Sequence, residues 1–269
     1  MTDARHILVV AGIALAGCSP TNVTADAQVS IDAPVNIDLS CLNNPTPTTA
    51  LDPVSVSGVL QEVFTDDGKA TQRPLGGADI EGCKAGAADC LGPNFLGTTT
   101  SAADGTFTIG PTATAGMPLE LYLTVTKVGE RTTRLYYATP ITFNQSGGDD
   151  GEAPVLQNAF IAQLAALGLT QDANKSMLGV QLLDCLDLPL TDAPNVVLSV
   201  KQNGSEVAGI NVISAGKLSP VFGGGYFVLN VPVGTLEVGA IYAGKPMLSR
   251  IVETVAGSTI ETQLRPGHY

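Results

Sequence analysis

Ala103-Asp104-Gly105-Thr106-Phe107-Thr108-Ile109 reads as a tight turn running into a half-buried strand. Asp and Gly accept the positive φ that a short turn requires, and Thr106 to Ile109 then alternates, so Phe107 and Ile109 share a face. Thr98-Thr99-Thr100, before the turn, predicts the partner strand of a hairpin. Working outward, Val54, Val56 and Leu60 alternate with Ser55, Ser57 and Val59, and Gly76-Gly77-Ala78-Asp79-Ile80 leads into a strand reaching Cys83. Leu119, Leu121, Leu123 and Val125 line one side of another strand, and Arg134 to Phe143 gives one more around Tyr136 and Tyr137, closed by Pro140. Several short strands in roughly a hundred residues, with turn signals between them and no helical period, predict a small β-sandwich over residues 51–145.

Residues 146–175 interrupt this pattern. Ser146 to Gly151 is a break, and Pro154 to Leu167 predicts the one helix, with Leu156, Phe160, Leu164 and Leu167 on one face. Pro154 suits a first helical turn and Gly168 a stop. From residue 176 short β-rich runs return, each ended by Gly or Pro, and predict a second sandwich over 176–269. The two β segments follow the same order. Val56-Ser57-Gly58-Val59, Pro74 to Ile80, Asp104 to Ile109 and Leu121 to Thr126 in the first correspond to Leu178 to Leu182, Leu188 to Leu198, Gly225 to Leu229 and Leu236 to Ala240 in the second. This order, and Asp-Gly-Thr-Phe-Thr-Ile above all, resembles the carboxypeptidase regulatory-like domain, a transthyretin-like seven-stranded sandwich. The resemblance implies a mostly β protein of two small Greek-key sandwiches joined by a segment with one helix. The second copy departs from it in having Gly223-Gly224-Gly225 where the first has an Asp-Gly turn. No ligand residue is carried over from transthyretin.

At the start, Ile7 to Cys18 (ILVVAGIALAGC) is an apolar run too short for a permanent transmembrane helix but of the length of a secretory signal. Its end, Leu15-Ala16-Gly17-Cys18, resembles the lipobox of bacterial lipoproteins, in which the Cys sulfur receives a diacylglycerol and the signal is cut before it. The resemblance implies that residues 1–17 are a signal peptide, that Cys18 is lipidated, and that the chain reaches the membrane through this anchor. Ser19 is not the Asp that retains such proteins in the inner membrane, so the outer membrane is the expected location. Residues 18–50 are rich in Ser, Thr, Asn, Asp and Pro, and predict a flexible tether with room for an edge strand near Val35–Leu39. The layout as a whole is similar to lipoproteins of myxobacteria.

Composition agrees with export. Apart from Cys18 the chain has Cys41, Cys83, Cys90 and Cys185, an even set that reads as two disulfides with three possible pairings. The short KAGAAD loop favours Cys83 with Cys90, which leaves Cys41 with Cys185. A formal net charge of −12 with no basic cluster excludes nucleic acid as a partner.

Chemistry is sparse. The two histidines are His6, inside the expected signal, and His268, read as a solvated tail residue. That excludes Ser-His-Asp and Cys-His mechanisms and a histidine-rich zinc centre. Ser214-Ala215-Gly216-Lys217 matches S-x-x-K but reads as a hairpin turn. Asp66-Asp67-Gly68 and Asp149-Asp150 lack the spacing of a calcium loop and read as solvated turns. Tyr122, Tyr136 and Tyr137 read as packed strand residues. The expectation is therefore a non-enzymatic, lipid-anchored envelope protein without cofactor or metal, acting as a structural or binding module. The alternative is a surface adhesin or a carbohydrate- or peptide-binding module, and the partners expected besides the membrane are an envelope protein or a glycan.

Overall fold

In a computed structural model the described residues are 37–67, 69–87, 90–145, 152–190, 196–218 and 225–268. Cys18 and the expected signal peptide lie outside them, as do Asp149 and Asp150. The first half contributes β1 (Val54–Asp66), β2 (Lys69–Pro74), β3 (Asp79–Lys84), β4 (Phe95–Thr100), β5 (Thr106–Thr112), β6 (Leu121–Thr126), β7 (Thr133–Tyr136) and β8 (Glu152–Leu156). Helix α1 (Asn158–Ala166) follows. The second half contributes β9 (Ser176–Leu182), β10 (Val196–Gln202), β11 (Ser205–Glu206), β12 (Asn211–Ser214), the one-turn helix α2 (Ala215–Leu218), β13 (Tyr226–Val231), β14 (Gly234–Tyr242), β15 (Lys245–Pro246), β16 (Arg250–Thr254) and β17 (Thr259–Leu264).

The halves repeat one pairing scheme. The opening strand, β1 or β9, pairs antiparallel with the aromatic-led strand, β5 or β13, and parallel with the closing strand, β8 or β17. In the facing sheet β3 or β10 pairs with β6 or β14, which pairs with β7 or β16. In the first half Val56, Leu60, Phe107 and Ile109 pack against Ile80, Leu121, Leu123 and Val125. In the second, Leu178, Val180, Val228 and Ile260 pack against Val200, Leu236, Val238 and Val252. Each fully buried aliphatic side chain contributes about 1.5–3 kcal/mol.

The halves share a sheet. β17 pairs parallel with β7 on one side and with β9 on the other, giving an eight-stranded sheet in the order β12-β13-β9-β17-β7-β6-β3-β4. The first half's second sheet covers one face of it and the second half's covers the opposite face. β6 therefore points Leu121, Leu123 and Val125 into the first core while Tyr122 joins the second, with Cys83 and Tyr136. A third cluster, Val63, Leu156, Phe160, Leu164, Met177, Phe227 and Leu229, seats α1 against both halves.

Several expectations differ from this outcome. The Thr98–Ile109 segment is no hairpin: β4 pairs with β3 and β5 with β1, so the Asp104-Gly105 turn carries the chain from one sheet to the other. The helix starts at Asn158, not at Pro154. Pro154 lies in β8, which among the described strands pairs only with β1, and there the missing N–H costs nothing. Leu167 is exposed just beyond the helix. Ile37 to Leu39 form no strand, and residues 37–50 are fixed against the fold by hydrogen bonds and a disulfide. Ser214 ends β12 and the chain turns into α2, where the S-x-x-K match had read as a hairpin turn.

Candidate functional site

The segment downstream of Cys18 meets the fold at a built clamp. Cys41 is bonded to Cys185 with a Cα–Cα distance of 5.6 Å, and the Cys41 N–H donates to Cys185 Sγ at 2.9 Å. The Cys185 N–H donates to the Asp38 carbonyl at 2.9 Å, and the Asp38 N–H to Asp184 Oδ2 at 3.3 Å. Buried Asp184 also accepts the Leu186 and Leu188 N–H groups at 2.8 and 2.9 Å, shaping the turn after β9. Arg265, fully buried, forms an ion pair with Asp187 in that turn. Gly267 passes beneath the Cys41 carbonyl, where no side chain would fit. Asn44 donates to the His268 carbonyl at 2.9 Å, and Thr46 Oγ1 lies 3.2 Å from His268 Nε2. His268 is thus a half-buried clamp residue and not the solvated tail expected of it. Burial, reinforced by the Arg250 charge, holds its pKa below the ordinary histidine value.

Cys83 and Cys90 form the second disulfide, at the end of β3. Glu81 lies within 4.8 Å of both sulfurs, but these are bonded to each other and offer no thiolate to a metal. On the same face Asp79, Glu81, Thr98, Thr100, Thr124 and Thr126 line an open depression of 540 Å³. The Arg134 guanidinium lies 5.1 Å from the Tyr122 ring centroid, and Tyr122 stacks on Tyr136 at 5.2 Å. Tyr136 is packed, as a strand tyrosine should be, and its hydroxyl accepts the Glu253 N–H at 2.9 Å.

At the other end of the sheet, a carboxyl pair is buried between β1 and the β6–β7 turn. Glu62 accepts hydrogen bonds from Arg73 and Gln157 and shares one with Glu130. Burial pushes the Glu62 carboxyl up, but these hydrogen bonds outweigh it and leave the pKa lowered. Burial and the bond to Glu62 push Glu130 up to about 7. Glu130 therefore favours its neutral form in the fold. The stability this gives is complete below about pH 4.5 and is lost as pH rises through about 7. Glu130→Gln keeps the group neutral at every pH. Its stability relative to the parent is expected to improve by on the order of 1–2 kcal/mol between pH 5 and pH 8. Thermal melts at the two pH values check this, and an unchanged difference would refute it. Glu261, at the β7–β17 seam, is pushed up to about 8 by burial and cancels from the comparison.

Proximity in the chain pointed to the Cys83–Cys90 pair. Nothing local marked Asp38, Asp184, Arg265 or the Glu62–Glu130 pair, whose partners come from distant strands. No helix among the described residues is long and apolar enough to cross a membrane.

No protein-family model matches the chain, and no curated protein does. Among solved structures, the shaft pilin SpaA of Lactobacillus rhamnosus GG aligns at 11% identity over 81% of this chain and 99% of its own, with a TM-score of 0.25. A 3-chlorocatechol 1,2-dioxygenase from Rhodococcus opacus aligns at 13% identity over 43% of this chain and 63% of its own, with a TM-score of 0.20. A marsupial T cell receptor chain aligns at 11% identity over 80% and 99%, with a TM-score of 0.17.

Proposed function

We propose that this chain is a lipid-anchored protein of the cell envelope, held at the outer membrane through Cys18, whose paired sandwiches act as a non-enzymatic structural or binding module. The observation that carries the reading is the clamp. The segment that leads from Cys18 is fastened to the fold by the Cys41–Cys185 disulfide and a set of buried polar contacts, as an attachment point requires. Two disulfides suit an oxidising compartment. The non-enzymatic part is supported by separation: among the described residues, His268 and the Glu62–Glu130 pair lie at opposite ends of the sheet. Mass spectrometry of the mature protein tests the anchor. A first residue Cys18 carrying a diacylglyceryl thioether is expected; an intact Met1 or an unmodified Cys18 would sink the reading.

A second reading, a surface adhesin, is favoured by the depression lined by Thr98, Thr100, Thr124, Asp79 and Glu81, whose hydroxyls and carboxylates suit the hydroxyl groups of a glycan. A glycan array with the full chain and with a Thr98→Val/Thr124→Val variant separates the two. A retained glycan lost in the variant supports the adhesin, and none retained leaves the structural role.

A further inference from the structure

The strand directions gather the exposed apolar loops at the end of the fold that carries the clamp. β7, β9 and β17 run parallel and finish there, and β3, antiparallel to β6, finishes there too. Leu51, Met117 and Phe143 project from one knot, in which the Ala50 N–H donates to the Gly116 carbonyl and the Leu51 N–H to that of Thr142. Leu186 and Leu188 project from the Asp184 turn beside Cys185, and Leu91 follows Cys90. These six are between 47% and 69% exposed although each belongs to a turn held rigid by backbone hydrogen bonds or a disulfide. At the opposite end Val233 and Val255 adjoin across the β14–β16 pair, while Val128 and Leu167 stand apart on their own turns, a smaller and mostly shorter-chained set.

The connection to Cys18 sets what can cover this end. Ser19 to Asn36 is 18 residues. As a flexible coil it spans about 23 Å on average, and fully extended about 60 Å. A lipid on Cys18 would therefore hold the clamp end within a short distance of the bilayer and favour contact through effective concentration alone. The net charge of −12 gives no attraction to anionic headgroups, so contact has to come from apolar burial.

We propose that the clamp end is a membrane-facing surface, its Leu51, Met117, Phe143, Leu91, Leu186 and Leu188 side chains resting in the interfacial region of the bilayer that holds the anchor. This rests on the anchor reading above. It makes the sandwich pair stand on the lipid and not swing freely on its tether, with β1–β2 and α1 turned outward.

The chain contains no Trp, so one introduced Trp is a clean reporter. The lipidated full chain is reconstituted into phosphatidylcholine vesicles with brominated acyl chains, carrying Met117→Trp, Leu186→Trp or, as control at the far end, Val128→Trp. Emission from the first two is expected to fall roughly two-fold, independently of salt, with the control unchanged. Co-flotation with all three reporters equally unquenched would overturn this proposal alone, and would point to a protein partner or a free-swinging domain. A chain that fails to float would overturn the anchor and this contact with it.

Discussion

Replacing Cys41 and Cys185 with serine is expected to lower stability by about 3–5 kcal/mol, a drop in Tm of roughly 8–15 °C. The bond closes a loop with a sequence separation of 144, so it restrains much of the unfolded chain. Its loss also loosens the Asp38–Asp184 contact and the path of Gly267 under Cys41, leaving buried polar groups without fixed partners. The internal control is the Cys83–Cys90 pair, whose sequence separation is 7. Its removal is expected to cost roughly half as much. Thermal melts of the two double-serine variants decide the matter. Equal losses, or a smaller loss for Cys41/Cys185, would show that the clamp adds nothing beyond a local staple.

Gly105→Ala is expected to cost about 2–4 kcal/mol. Gly105 has φ of 80°, and a Cβ there would stand 2.4 Å from the Leu60 carbonyl oxygen. That carbonyl accepts the Leu75 N–H at 2.9 Å, while the Leu60 N–H donates to the Gly105 carbonyl at the same distance. The turn is thus pressed against the middle of β1 at the point where the chain changes sheets. Gly77 has a similar φ of 73° but open space around it, so Gly77→Ala isolates the backbone cost and is expected at about 1 kcal/mol. Denaturant melts of the two variants separate strain from collision. If they match, the contact with β1 carries no energy.

Much of the strand content was legible because alternation of one-sided strands survives in the sequence: Val54-Val56-Leu60 and Leu121-Leu123-Val125 lie on the first core as read. The shared sheet was less so. β7 and β17 are more than a hundred residues apart, and alternation says only that one face is buried, not which strand lies alongside. Its one trace was two-sided burial: Leu121-Tyr122-Leu123 and Met177-Leu178 are apolar on both faces. The helix was placed too early because Val155 and Leu156 suit a buried strand as well as a helical face, and Pro154 suits both a first helical turn and an edge strand. The clamp was invisible for another reason. Asp38, Asp184 and Arg265 are ordinary polar residues until the fold brings segments from three parts of the chain together, and only the cysteines announced themselves. The carboxyl pair is hidden likewise, with Glu62 one polar residue in a strand and Glu130 one in a turn.

The position of β17 has a consequence for the order of assembly. A strand that follows all the others in the chain occupies the middle of the common sheet, flanked by β7 from the first sandwich and β9 from the second. Until it arrives, the first sandwich has an open edge at β7 and the second lacks the partner of its opening strand. Neither half can be finished as the chain emerges, and completion waits on contacts between residues far apart in sequence, a slow kind of closure. The architecture thus withholds a completed native sheet until almost the whole described chain is available, which is the order that the export proposed above would require.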